Sequence, residues 1–81
     1  MQVQVLFFAH ARDVTGIGSL EVELKDRATI CDLKNVLIRT YPDLGSIESK
    51  LAVALNEEYV VGEATLKNGD EVALIPPVSG G

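Results

Sequence analysis

The sequence holds a single cysteine, Cys31, a single histidine, His10, and no tryptophan. One thiol cannot build a disulfide framework or a multi-thiolate metal site, so no metal site is expected. It also fits a reducing compartment, with the cytosol as the expected location. Cations are scarce as well, since 7 Lys and Arg stand against 12 Asp and Glu in 81 residues, a formal charge of −5. Nucleic-acid binding draws its affinity from clustered Lys and Arg, and the basic residues here are scattered, so no nucleic-acid partner is expected. No apolar run approaches the roughly 20 residues of a membrane span. The opening Met1-Gln2-Val3-Gln4-Val5 lacks the basic start of a signal peptide. Neither export nor membrane insertion is expected.

What is present is ordinary globular composition, 47% hydrophobic and 23% charged, far from the signature of disorder. A chain of this length buries only about 60–65% of its unfolded surface, enough for one modest core. A large self-contained active site is not expected.

Val3-Gln4-Val5-Leu6-Phe7-Phe8-Ala9 alternates and then becomes continuously apolar, the pattern of a strand central in a sheet. After the polar link His10-Ala11-Arg12-Asp13 and the breaker Gly16-Ile17-Gly18, Leu20-Glu21-Val22-Glu23-Leu24 alternates strictly and reads as a half-exposed strand. An antiparallel pairing of the two is the economical one. From Thr29 the period changes: Ile30, Leu33, Leu37 and Tyr41, helped by Val36, make one apolar helical stripe. Thr29 is the expected N-cap, Asp32 favours the helix N-terminus and Pro42 stops the helix. Leu51–Leu55 and Tyr59-Val60-Val61 read as strands separated by Glu57-Glu58. Lys67-Asn68-Gly69-Asp70 carries the Asn-Gly pair of a tight turn before a last strand, Glu71–Ile75.

This order predicts an α+β fold: a β-grasp, or ubiquitin-like, mixed sheet packed on one main helix, with an extended C-terminal tail. At least one parallel pairing is expected, because a crossover helix interrupts the strands. A split βαβ ferredoxin-like fold is the rival, and the missing second long helix counts against it. The expected organisation is a domain over residues 1–75 and a flexible tail over residues 76–81.

The tail, Pro76-Pro77-Val78-Ser79-Gly80-Gly81, carries the most unusual signal. Prolines lack a ladder donor and favour polyproline II, so these six residues could reach about 19 Å at ~3.1 Å per residue. Two glycines without side chains let the tip enter a narrow channel in another protein and bring its carboxylate to a reacting group. Chain ends are also often small and mobile without any function. The proline spacer, directly after the last strand of a β-grasp, weighs toward the arm.

Three stretches resemble the small subunit of molybdopterin synthase, a ubiquitin-like sulfur-carrier family: Val5-Leu6-Phe7-Phe8-Ala9 followed by Arg12, then Asn68-Gly69-Asp70-Glu71-Val72-Ala73, then Ile75-Pro76-Pro77-Val78-Ser79-Gly80-Gly81. The resemblance implies a cycle at Gly81. An activating enzyme spends ATP to attach AMP to the Gly81 carboxylate, and a persulfide sulfurtransferase then replaces the AMP to give a thiocarboxylate. No cofactor is permanently bound. The large synthase subunit then receives the tail, and the sulfur passes to cyclic pyranopterin monophosphate. A carboxylate is a poor electrophile until one oxygen becomes a good leaving group, and the thiocarboxylate is a soft nucleophile, so the chemistry is coherent. On this resemblance the chain is not an enzyme by itself, and a heterotetramer with the large subunit is implied.

Phe8, Arg12, Tyr59 and Ile75 match family positions at the partner interface. Phe8 and Ile75 also sit in apolar strands, where burial in the core is the competing reading. The family often places an aromatic residue before the Pro-Pro pair, whereas this chain has Ile75. Cys31 falls in the first helical turn without a nearby base and reads as a small packed residue. His10 and Asp13 have no nucleophile partner. Glu57-Glu58, Glu21 and Glu23 read as solvated or acidic rims able to steer a basic partner. Two other fates stay open: a ubiquitin-like modifier joined through Gly81 to lysines, and a carrier serving tRNA thiolation or thiamine synthesis. A passive interaction module, in which the Gly-Gly end is incidental, is the third.

Overall fold

The structure, a computed structural model, describes residues 1–76. Five strands form one sheet in the order β2-β1-β5-β3-β4, where β1 is Gln2–Phe7, β2 Ser19–Glu23, β3 Ala52–Leu55, β4 Glu58–Val60 and β5 Glu71–Ile75. β1 and β5 run parallel at the centre, and every other pairing is antiparallel. The expected parallel pair is therefore made by the first and last strands. β2 and β3, which flank the crossover helix, are not neighbours.

Alternation decides what each strand buries. Val3, Val5 and Phe7 of β1 point into the core, and register sets Leu20 and Val72 on either side of Val5. Leu74 stands beside Phe7 and Val53 beside Leu74, which extends the apolar layer across the sheet. The main helix, α2 (Ile30–Thr40), covers this layer with Ile30, Leu33 and Leu37, all buried. Its start is fixed by a reciprocal cap. The Thr29 side chain accepts from the Asp32 N–H at 3.3 Å, and the Thr29 N–H donates to Asp32 Oδ2 at 2.9 Å. At the other end Tyr41 meets the Phe7 ring edge-on, with centroids 6.3 Å apart, tying the helix to the central strand. One sheet grasping one main helix is the β-grasp, and the ferredoxin-like alternative falls with it.

The polar link after β1 is not a plain loop. Ala9–Thr15 form a second helix, α1, capped at its end by Gly16 in the left-handed conformation at φ 77°. It buries Ala11, and Val14 packs against the core. Phe8 holds the N-cap position without a side-chain hydrogen bond, so the chain carries no Ser, Thr, Asp or Asn start signal there. β1 accordingly ends at Phe7 rather than Ala9. Two 3-10 turns, Pro42–Ser46 and Glu48–Lys50, lead from α2 to β3, and β4 begins one residue earlier than the sequence suggests.

Two turns set the strand register. In the first, Gly69 takes φ 86° and donates its N–H to the Gln2 carbonyl at 2.7 Å, while Asn68 Oδ1 accepts from the Gln2 N–H at 2.8 Å. This joins the start of β1 to the turn before β5. Between β3 and β4, Asn56 and Glu57 both have positive φ, 51° and 72°, the signature of a type I′ hairpin. The Asn56 side chain accepts from the Glu71 N–H and donates to Asp70, locking this hairpin to β5.

Candidate functional site

The sheet has two faces and the main helix covers one. Side chains of alternate parity stand on the other; Leu6, Tyr59 and Ile75 among them are partly or largely exposed, while the small Ala54 and Ala73 between them are buried. Across that open face the register sets Leu6 opposite Ala73, Ala73 opposite Ala54, and Ala54 opposite Tyr59. At the usual spacing of about 4.8 Å between strands, this apolar row spans roughly 14 Å over four strands. One step toward the tail, Ile75 stands opposite Ala52.

The parallel pairing of β1 and β5 brings the tail root beside Phe8. Both strands end at the same edge of the sheet, in register through Phe7 and Leu74, so the residues that follow, Phe8 and Ile75, are neighbours there. Phe8 is extended, at φ −120° and ψ 150°, which turns its side chain to the face opposite Phe7. It is 46% exposed. Ile75 is half-buried but outside the core cluster. The choice between core and surface thus falls to the open face for both. Tyr59, on the edge strand β4, is 69% exposed, and Val61 just beyond it is 99% exposed.

The structure therefore gathers Phe8, Tyr59 and Ile75 on one face, with Pro76 half-buried at its rim. Arg12 is set apart. It lies exposed on α1, with its guanidinium close to Gly18, the residue before β2, where an added Cβ would stand 3.7 Å from Nε. It borders the tail end of the sheet but is not on the open face. Pro77, Val78, Ser79, Gly80 and Gly81 lie outside the described residues. Sequence reasoning missed Leu6, Ala54, Ala73 and Val61. The two alanines leave no bulk between Leu6 and Tyr59, and only the cross-strand register shows that they share a face.

The other candidates stay apart from this face. Cys31 is exposed on the outer side of α2, not packed as its sequence context suggests, and its N–H donates to Glu63 Oε1 at 3.0 Å, a helix-capping contact. His10 and Asp13 are exposed on α1. Among the described residues no three His, Cys, Asp or Glu side chains come together as a metal site. The hollow under α2, between Leu37, Leu44 and Leu74, has about 10 Å³, room for no more than one water. No helix among the described residues is long and apolar enough to cross a membrane. What the arrangement offers is an apolar docking platform at the root of a C-terminal segment.

Comparison with known proteins bears on that platform. The chain is 46% identical to the molybdopterin synthase sulfur carrier subunit of Chlamydomonas reinhardtii, over all of both chains. Among solved structures it resembles SAMP1, small archaeal modifier protein 1, of Haloferax volcanii, with a TM-score of 0.90, 29% identity and complete coverage of both chains. It also resembles a chain in the complex of subunits 1 and 2 of the molybdopterin-converting factor from Helicobacter pylori, with a TM-score of 0.74, 27% identity and complete coverage of both. The sequence model of the ThiS family matches residues 5–81. With matches that run the length of the sequence, the chain belongs to the ThiS family.

Proposed function

We propose that this chain is the sulfur-carrier subunit of a molybdopterin synthase, with Gly81 as the carrier position and the open sheet face as the docking surface. The observation that carries the reading is the position of the tail root: β5 delivers Pro76 from the middle of the sheet, next to Ile75 and Phe8, at the end of the face on which Leu6 and Tyr59 stand. A partner that covers this face receives whatever follows Pro76. The full-length relative named a molybdopterin synthase sulfur carrier subunit, and the likeness to a converting-factor subunit solved with its companion, support the same partner class.

On this reading the Gly81 carboxylate attacks the α-phosphorus of ATP on an activating enzyme, and pyrophosphate leaves. The terminal sulfur of a persulfide donor displaces AMP to give an acyl disulfide, and a second thiol on the donor then attacks its S–S bond, leaving the thiocarboxylate on Gly81 and a disulfide on the donor. The nucleophilic sulfur is then delivered to a pyranopterin held by the large subunit, which supplies the general acid, base and oxyanion groups. This chain contributes the nucleophile and its address. Intact mass tests the reading. After incubation with the activating enzyme, ATP and a persulfide donor, the chain is expected to gain the difference between sulfur and oxygen, and a variant lacking Gly81 is not. No gain with demonstrably active partners would overturn it.

The likeness to SAMP1 favours a second reading, in which the activated Gly81 forms an isopeptide bond with a lysine of another protein. Adenylation precedes both fates. Peptide mapping of cell proteins for lysines joined to Gly81, which after cleavage at Lys67 carry the segment Asn68–Gly81, separates them, since a pure sulfur carrier leaves none.

A further inference from the structure

The open face is apolar at one end only. Two residues before the Leu6–Ala73 step, register sets Glu21 opposite Gln4 and Gln4 opposite Glu71, and two residues further Glu23 stands opposite Gln2. At about 3.4 Å per residue the acidic row lies roughly 7 Å from the apolar one, on the side away from the tail. The strand positions of this face carry three glutamates and no lysine or arginine. None of the three glutamates forms an ion pair among the described residues, whose two pairs are Met1 with Asp26 and Lys34 with Glu48. An open polar groove of about 200 Å³ runs beside Glu21, lined by Gln2, Gln4, Asn68 and Gly69.

We infer that the partner covering this face sets lysine or arginine side chains on the Glu21–Gln4–Glu71 row while its apolar side chains cover Leu6, Tyr59, Phe8 and Ile75, across the shallow floor left by the buried Ala73 and Ala54. The inference rests on the open face being the partner contact and adds the way round in which it is read. Apolar burial is non-directional, so a flat row of Leu, Ala and Tyr cannot by itself distinguish two docking orientations differing by half a turn. Charge at one end does. Reversed docking would bring the partner's cations onto Phe8 and Ile75 and leave the glutamates against apolar surface, a costly arrangement. The correct orientation presents the tail root to the same place on the partner at every encounter. The glutamates on β2 have a competing structural duty, since charge on an edge strand discourages edge-to-edge pairing. That duty would leave the association rate with a partner unchanged.

The test is the association kinetics of the full chain with the large synthase subunit of the same organism, measured against salt. Three variants are compared: Glu21→Lys/Glu23→Lys, Glu21→Gln/Glu23→Gln and Tyr59→Ala. At about 50 mM salt the lysine pair is expected to lower the association rate roughly tenfold or more and the glutamine pair a few fold. Both gaps are expected to close toward about 0.5 M salt, with dissociation rates little changed. Tyr59→Ala is expected to weaken binding at every salt concentration. An unchanged association rate in the lysine pair, or an equal loss at low and high salt, overturns the inference. If Tyr59→Ala still weakens binding in that case, the docking reading stands without it. Failure of the wild-type chain to bind overturns both.

Discussion

Phe7 and Phe8 are consecutive, yet they face opposite sides of the sheet, one 2% and the other 46% exposed. The first packs edge-on against Tyr41 beneath α2, and the second stands at the tail root. Their truncations should therefore separate stability from docking. Phe7→Ala is expected to cost about 3–5 kcal/mol, a large fraction of what a domain of this size possesses. Phe8→Ala should cost less than about 1 kcal/mol, because its ring is already half in water, while weakening partner binding. Chemical denaturation and titration with the large subunit, run side by side, check both. A Phe8→Ala variant that loses stability like Phe7→Ala would put Phe8 in the core.

Glu57 holds φ 72° at the second turn position of the β3–β4 hairpin, where a side chain crowds the backbone. Glu57→Gly should relieve this. Glycine also gives the unfolded chain more freedom, so the net gain is expected near 0.5–1 kcal/mol, or roughly 4 °C in Tm for a domain of this size. Glu57→Ala keeps the Cβ and should bring no such rise. Thermal denaturation of the two variants is the check, and an equal rise in both would show that removing the charge, not the strain, matters.

Thr29 and Asp32 cap each other's backbone at the start of α2. Thr29→Ala is expected to cost about 1 kcal/mol, and Asp32→Ala a comparable amount. The pair should be less than additive, because each side chain fixes the geometry that the other uses. A double-mutant cycle by urea denaturation measures this. Strict additivity would mean that the two hydrogen bonds act independently.

The same cap explains why α2 could be read from sequence: Thr29, Asp32 and Pro42 are local signals, and the stripe from Ile30 to Tyr41 needs no partner to be recognised. The Asn68-Gly69 turn announced β5 in the same way. α1 could not be read so, because seven residues with two apolar contacts and Phe8 as an uncapped start carry no periodic signal. The open face was legible only in part. Phe8 and Ile75 sit in continuous apolar runs, where nothing local says which residue turns outward. Ala54 and Ala73 look like filler until the β3–β5 register sets them side by side. Pairing between β1 and β5 links opposite ends of the chain, and that information is non-local.

The proposed role of Gly81 makes a demand on the carboxylate that docking does not. Appending one alanine after Gly81 turns that carboxylate into a peptide carbonyl, whose nitrogen is a far poorer leaving group than AMP, and moves the free acid one residue on. The folded domain and the open face are untouched, so the melting temperature should match that of the wild-type chain. The thiocarboxylate, read as the oxygen-to-sulfur gain in intact mass, should be absent or fall by at least about tenfold, the equivalent of some 1.4 kcal/mol at the activating step. Removing Gly80 and Gly81 together should give the same loss of sulfur while Tyr59 and Phe8 still bring the domain to its partner. Were the extended chain to load sulfur as readily as the natural one, the glycine itself would not be the determinant. The activating enzyme would then be reading only a free carboxylate at the end of an arm of sufficient reach.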